Sequence, residues 1–255
     1  MIPMIPMIPM IPTNNLADIL KDISQFHVKT KEDAEFVVTR YNEDLAWIKG
    51  VEHLTTVYNK GEPINTAATV IHTPNFGYGL ETMLRHIISR YDSLASATMF
   101  CQGNIADRDD QPMNPLTWYF DGTAPIKAVL TDSYDPPKSH YRMRLTDPAT
   151  FSSYTLREWR EKVLGIKYKY LVEMWVRGDW LAVSRDKIRE KPLAYYCYLY
   201  DACRFQRGVL VEECWFLERS WWSILTYKLP QSFKYSVKKP LDQVLLAFPS
   251  LPSPQ

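Results

Sequence analysis

In residues 35–48, EFVVTRYNEDLAWI, an apolar run breaks after Arg40 into Asn42, Glu43 and Asp44 and returns at once to apolar residues. Two carboxylates and an amide at the end of a buried strand have two readings. Either they close a polar turn and cap the next helical turn, or they face a ligand. The pattern recurs. HLTTVYNKG ends in Asn59 and Lys60, and TAATVIHTPN runs on to Asn75, Gly77 and Gly79. SATMFCQGN ends in Gln102, Gly103 and Asn104, followed by Asp107, Arg108, Asp109 and Asp110. Ligands of open parallel sheets bind beyond the carboxyl ends of the strands. Four polar strand ends in succession therefore favour a site on one rim, with Asn42 and Asp44 at the ligand rather than capping alone.

Each strand end suggests its own chemistry. Asp107 and Asp109 form an Asp-x-Asp, and hard cations such as Mg²⁺ or Mn²⁺ take carboxylate oxygens, often shared with a substrate phosphate. The alternative is a solvated acidic loop. Gly77-x-Gly79 before a helix offers backbone amides to a phosphate. The third glycine of a dinucleotide fingerprint is replaced by Thr82, so a looser phosphate contact fits better than a nicotinamide dinucleotide site. Late in the chain, EECWFLERSWWSIL carries Glu212, Glu213 and Glu218 beside Trp215, Trp221 and Trp222. A carboxylate there could take the proton of an attacking hydroxyl, or the segment is a core helix with Glu218 paired to Arg219.

Other chemistries lack their residues. The five histidines, at 27, 53, 72, 86 and 140, form neither a triad nor a metal spacing, and no G-x-S-x-G or H-E-x-x-H occurs. Cys101, Cys197, Cys203 and Cys214 include no C-x-x-C, and are read as reduced, small buried hydrophobes. The formal charge of +1 gives no bulk attraction to nucleic acid.

The elements that must position these residues follow from periodicity. Strands over 35–41, 53–61, 66–75 and 96–104 surround a helix over 80–94, whose Leu80, Met83, Leu84, Ile87, Ile88 and Tyr91 recur at helical spacing. This order predicts an α/β sandwich with a largely parallel sheet. Residues 107–150, rich in Asp, Pro, Ser and Tyr, read as long loops. Residues 170–184 read as two short strands, or a strand and a turn. Three helices are expected at 156–165 with Gly165 as C-cap, at 185–204 with a break near Pro192, and at 210–226.

Residues 1–12 are four copies of Met-Ile-Pro, which forbids a regular helix and is too short to span a bilayer. They are read as a disordered tail, residues 13–34 as a helix and connector, 35–228 as one catalytic-type domain, and 229–255 as an extension that ends Pro-rich. With no signal peptide or membrane span recognised, the expected setting is cytoplasmic.

VVTRYNEDLAWI, VYNKG, PNFG, FCQGN, LREWREKVLG, GDWLAVSRDKI and ERSWW occur in this order. The series resembles a family of uncharacterised fungal, bacterial and viral proteins that look like GT-A-type glycosyltransferases, over about residues 36–225. The resemblance implies a Rossmann-like α/β/α sandwich, a nucleotide-sugar donor at the ends of the first strands, and Mn²⁺ or Mg²⁺ on an Asp-x-Asp. Carried over, Arg40, Asn42, Glu43 and Asp44 fall at the base and ribose, with Lys60, Asn75 and Gly77 along the same donor rim. Gln102, Gly103 and Asn104 fall at the metal and diphosphate element, and Glu218 on the late helix that could supply the catalytic base. Asp107 and Asp109, displaced downstream, are the candidate metal ligands, with Asp109 as the alternative base. Two departures stand out. Gln-Gly-Asn occupies the usual Asp-x-Asp position, and Tyr78-Gly79 replaces the Arg-Glu that the family tends to carry. The alternatives are a non-catalytic nucleotide- or sugar-binding relative, or an interaction protein that uses the Pro-rich tail.

Overall fold

The computed structural model describes residues 30–104, 126–134, 145, 147–166, 172–229 and 233. The expected helix in 13–34, the Met-Ile-Pro repeat, Asp107, Asp109 and most of the 229–255 extension lie outside them.

Six strands form one sheet: β1 (Ala34–Arg40), β2 (Thr55–Asn59), β3 (Thr69–His72), β4 (Ala97–Gln102), β5 (Ile126–Tyr134) and β6 (Val172–Ser184). Their order is β3-β2-β1-β4-β6-β5, and β3, β2, β1 and β4 are parallel. β6 is antiparallel to both β4 and β5. The protein is thus a single α/β domain with a mostly parallel sheet.

β1 is buried along nearly its whole length, which explains its continuous apolar sequence: a central parallel strand is covered on both faces. Val37, Tyr58 and Phe100 face a large core shared with every helix of the fold that is described. Those helices are α1 (Tyr78–Arg90), α2 (Leu156–Trp159), α3 (Arg185–Arg189), α4 (Leu193–Cys203), α5 (Glu212–Glu218) and α6 (Trp221–Thr226). Phe36, Val38, Val57 and Met99 face the other side. There, among the described residues, Leu45, Ile48, Val51 and Leu54 of two short 3₁₀ turns cover the sheet.

Several local expectations hold for visible reasons. Thr155 and Glu158 form a reciprocal capping box at the start of α2, which runs on as a π-helical turn to Gly165 at φ 68°. Pro192 separates α3 from α4. All four cysteines are free and buried.

Three expectations are corrected. Part of the 107–150 stretch read as loops is β5, an outer strand held by β6. Val172–Ser184 form one long strand, neither two short ones nor a strand and a turn. The pairing slips between Ala128 and Leu130, so residues 177–180 stand opposite Val129 alone, an irregularity that bends the strand without ending it. The last expected helix also divides, into α5 and α6.

Candidate functional site

β1, β2, β3 and β4 end on one rim, at Arg40, Asn59, His72 and Gln102. From β1 the chain steps outward to β2 and β3, then returns through α1 to β4 on β1's other side. The gap beyond the ends of β1 and β4 is therefore a topological switch point, where open α/β sheets bind ligands.

The loop after β1 is tied to the loop after β2. Arg40 is buried, and its guanidinium donates to Glu43 O (2.9 Å), Asn59 Oδ1 (2.8 Å), Glu62 O (2.8 Å) and Tyr41 O (3.3 Å). Asn59 Nδ2 donates to Gly61 O (3.2 Å) and Glu62 O (2.8 Å). Glu62 N–H donates to Asn42 Oδ1 at 2.9 Å. The loops approach so closely that a Cβ on Gly61 would stand 1.7 Å from Tyr41 O.

Glu43 and Asp44 stand where the first loop faces β4. Glu43 Oε2 accepts from Tyr41 N–H at 2.6 Å, and its side chain lies over Gly103, where a Cβ would come within 2.9 Å of that oxygen. Asp44 is exposed, and its Oδ1 accepts from Ala46 N–H at 2.9 Å at the first 3₁₀ turn. Asp44 thus does take up the turn-closing role. Gly103 N–H donates to Thr39 O at 2.7 Å, and Gly103 O accepts from Trp47 Nε1–H at 2.8 Å. Gln102 is half-buried and Asn104 exposed.

Lys60 lies beneath the rim. Its ammonium donates to Phe76 O (2.6 Å) and to Glu81 Oε2 (2.8 Å). Glu81 is fully buried on α1, and its Oε1 also accepts from Arg85 Nε (2.6 Å) and Tyr200 OH (2.7 Å). Burial pushes the Glu81 carboxyl up, but Lys60 and Arg85 outweigh it and hold it below the usual range. Burial likewise lowers the Lys60 ammonium, against the opposing pull of Glu81. The cluster exists because α1 is buried from Gly79 to Ile88, and polar groups inside such a helix must find partners.

Gly77 begins α1 with φ 59°. It donates to Val209 O at 2.8 Å and sits under Phe205, whose Cδ1 would be 2.4 Å from an added Cβ. Tyr78 follows with φ 47° and half its surface exposed, a left-handed conformation that costs a non-glycine residue about 1–2 kcal/mol. Asn75 is half-buried on the same loop. Exposed Tyr41 lies across the rim from it, after β1.

The late glutamates separate. Glu212 Oε2 accepts from Ser152 N–H at 2.8 Å, and buried Glu213 pairs with Arg204 (3.2 Å) and Arg207. Glu212 therefore fastens the 147–152 segment to α5, and Glu213 ties α5 to the turn after α4, whose Arg207 in turn donates to Ala149 O and Phe151 O. Glu218 is half-buried on the last turn of α5. It lies about 9 Å along the helix from Glu212, whose end of α5 adjoins the Gly77 loop through Val209.

Arg40, Asn42, Glu43, Asp44, Lys60 and Gly103 therefore come together around β1, and Asn75 and Gly77 continue the rim toward α1. The charges of Arg40 and Lys60 are engaged inside the protein, where they fix the shape of the rim. Exposed on it are Asn42, Asp44, Asn104, Tyr41 and Tyr78, with Glu43 half-buried over Gly103, a surface with groups for hydroxyls and planar rings. Trp47 was not singled out from the sequence, although an indole close to a polar turn needs an acceptor for its N–H. Among the described residues no group of three or more His, Cys, Asp and Glu side chains comes together to hold a metal ion. No helix among them is long and apolar enough to cross a membrane. No protein-family model, curated protein or solved structure matches the chain.

Proposed function

We propose that the protein is a GT-A-like glycosyltransferase that moves a sugar from a nucleotide-sugar donor to an acceptor hydroxyl. The observation that carries this reading is the switch point, where the polar loop after β1 and the Gln102–Asn104 turn after β4 are pinned together at Gly103. In the proposal, Asn42, Glu43 and Asp44 meet the base and ribose, and Gln102, Gly103 and Asn104 meet the diphosphate. Arg40, Lys60, Asn75 and Gly77 complete the rim. The acceptor oxygen bonds to the anomeric carbon as the bond from that carbon to the phosphate oxygen breaks. Glu218 or Asp109 takes the acceptor proton, and the nucleoside diphosphate leaves. The described rim supplies no metal group of its own, so Mn²⁺ or Mg²⁺ rests in this proposal on Asp107 and Asp109. Such a cation neutralises charge on the leaving group.

A second reading is a nucleotide- or sugar-binding protein without turnover. It is favoured by the engagement of Arg40 and Lys60 in internal contacts and by Tyr78-Gly79 at the start of α1. Incubation with a panel of nucleotide-sugars and Mn²⁺, followed by assay of released nucleotide, separates the two. Release supports transfer chemistry. A thermal shift without release supports binding alone, and neither response with any donor overturns both.

A further inference from the structure

We propose that Trp47 is a positioning residue that fixes the spacing of the two loops flanking the switch point. The proposal rests on the donor-binding reading above. Gly103 is held from three directions by one segment of chain: Thr39 O takes its N–H, Trp47 Nε1–H donates to its carbonyl, and the Glu43 side chain fills the space where a Cβ would stand. Both backbone polar groups of Gly103 are thus committed to β1 and its loop. The indole is presented from a firm base, because Leu45 and Ile48 on either side of Trp47 are buried in the core and Asp44 closes the turn between them.

A ligand across the switch point touches residues 41–44 on one side and 102–104 on the other. The Trp47–Gly103 hydrogen bond sets the distance between them before the ligand arrives, and such preorganisation lowers the ordering cost of binding. Trp47 itself need not touch the ligand.

Two variants separate this role from packing. The imidazole of histidine superposes on the five-membered ring of indole, so Trp47→His keeps an N–H in the position of Nε1, while Trp47→Phe keeps an apolar ring and loses the donor. Binding of UDP-glucose and GDP-mannose, each with Mg²⁺, is measured by titration calorimetry on the full chain at pH 8. The expected result is that Trp47→Phe weakens binding of the recognised donor about tenfold and that Trp47→His recovers most of the loss. Binding by Trp47→Phe within twofold of wild type, or no recovery in Trp47→His, overturns the proposal and leaves the donor-binding reading intact. Absence of wild-type binding to either probe overturns the donor-binding reading and this proposal with it. Should the variants fail to fold, the wild-type Trp47 indole N–H resonance, assigned sequentially, provides the readout. It shifts on donor addition if Trp47 couples the loops, and stays fixed while other resonances move if it does not.

Discussion

Two polar clusters lie along α1, and they satisfy their buried groups in opposite ways. Near the rim, Glu81 accepts from Lys60, Arg85 and Tyr200, so one carboxylate serves two cations through short hydrogen bonds. One turn further along, His86 is fully buried between Tyr58, Phe100 and Glu35. Its Nδ1 meets Tyr58 OH at 3.2 Å, while Nε2 stands 3.5 Å from Glu35 Oε2 without a hydrogen-bond partner. Burial, followed by the nearby charges of Arg90 and Lys31, lowers the imidazole to about 3. His86 is therefore neutral near pH 7, and its contact with Glu35 is not an ion pair. Burial raises the Glu35 carboxyl despite a 2.5 Å hydrogen bond from Thr56 and the pull of Lys31. The difference is instructive. The cluster under the candidate site holds one carboxylate shared by two cations and fixes the rim loops, whereas the one toward the amino end of β1 holds groups that resist charging.

The largest expected effect breaks the first cluster. Glu81→Ala leaves Lys60 and Arg85 buried without their carboxylate and should cost about 3–5 kcal/mol in urea unfolding. A loss under 1 kcal/mol would show that water or rearrangement satisfies the two cations.

The second cluster should appear as acid sensitivity. The unfolded chain protonates histidine near 6.5 and the folded chain near 3, so the unfolded state binds the proton first. The His86 contribution is present above 6.5 and lost as the pH falls through that window toward 3. Glu35 acts with the opposite sign: its raised carboxyl adds stability that is complete below its ordinary value and lost as the pH rises through its folded value. The His86 share of the loss on acidification should approach about 5 kcal/mol, and the Glu35 share offsets part of it. His86→Phe should flatten the slope of stability between pH 6.5 and 3, and an unchanged slope would place the acid sensitivity elsewhere.

Smaller effects sharpen the contrast. Gly61→Ala drives a methyl into Tyr41 O and should cost about 1–3 kcal/mol, with backbone amide shifts concentrated in residues 40–44 and 59–62. Shifts spread evenly over the sheet would mean that the two loops are not one unit. Glu35→Gln keeps an acceptor for Thr56 and removes only a charge, so about 1 kcal/mol is expected in the same denaturation assay. A loss as large as that of Glu81→Ala would erase the distinction between the clusters.

Much of this frame was legible in the sequence, because the four parallel strands and α1 are built from β-branched runs and a 3.6-residue repeat. β5 was not, since IKAVLTDSY lies among Asp, Pro and Tyr and owes its strand state to β6. Nor was the continuity of β6 through Gly178-Asp179, because local turn chemistry does not reveal that neighbouring strands will carry the chain past a bulge. At the site, the polar strand ends could be named one by one. Their mutual satisfaction could not: nothing local to Lys60 or Arg40 states that Glu81 and Asn59 will meet them. For the same reason Trp47 escaped notice, because its acceptor is a backbone carbonyl 56 residues away.

The central claim is that the switch point between β1 and β4 receives the donor. Amide chemical-shift mapping of the full chain with UDP-glucose or GDP-mannose and Mg²⁺ tests it directly. The largest perturbations are predicted in residues 41–47 and 102–104, on both sides of Gly103. Perturbations confined to other parts of the molecule, or none with either nucleotide-sugar, would contradict it.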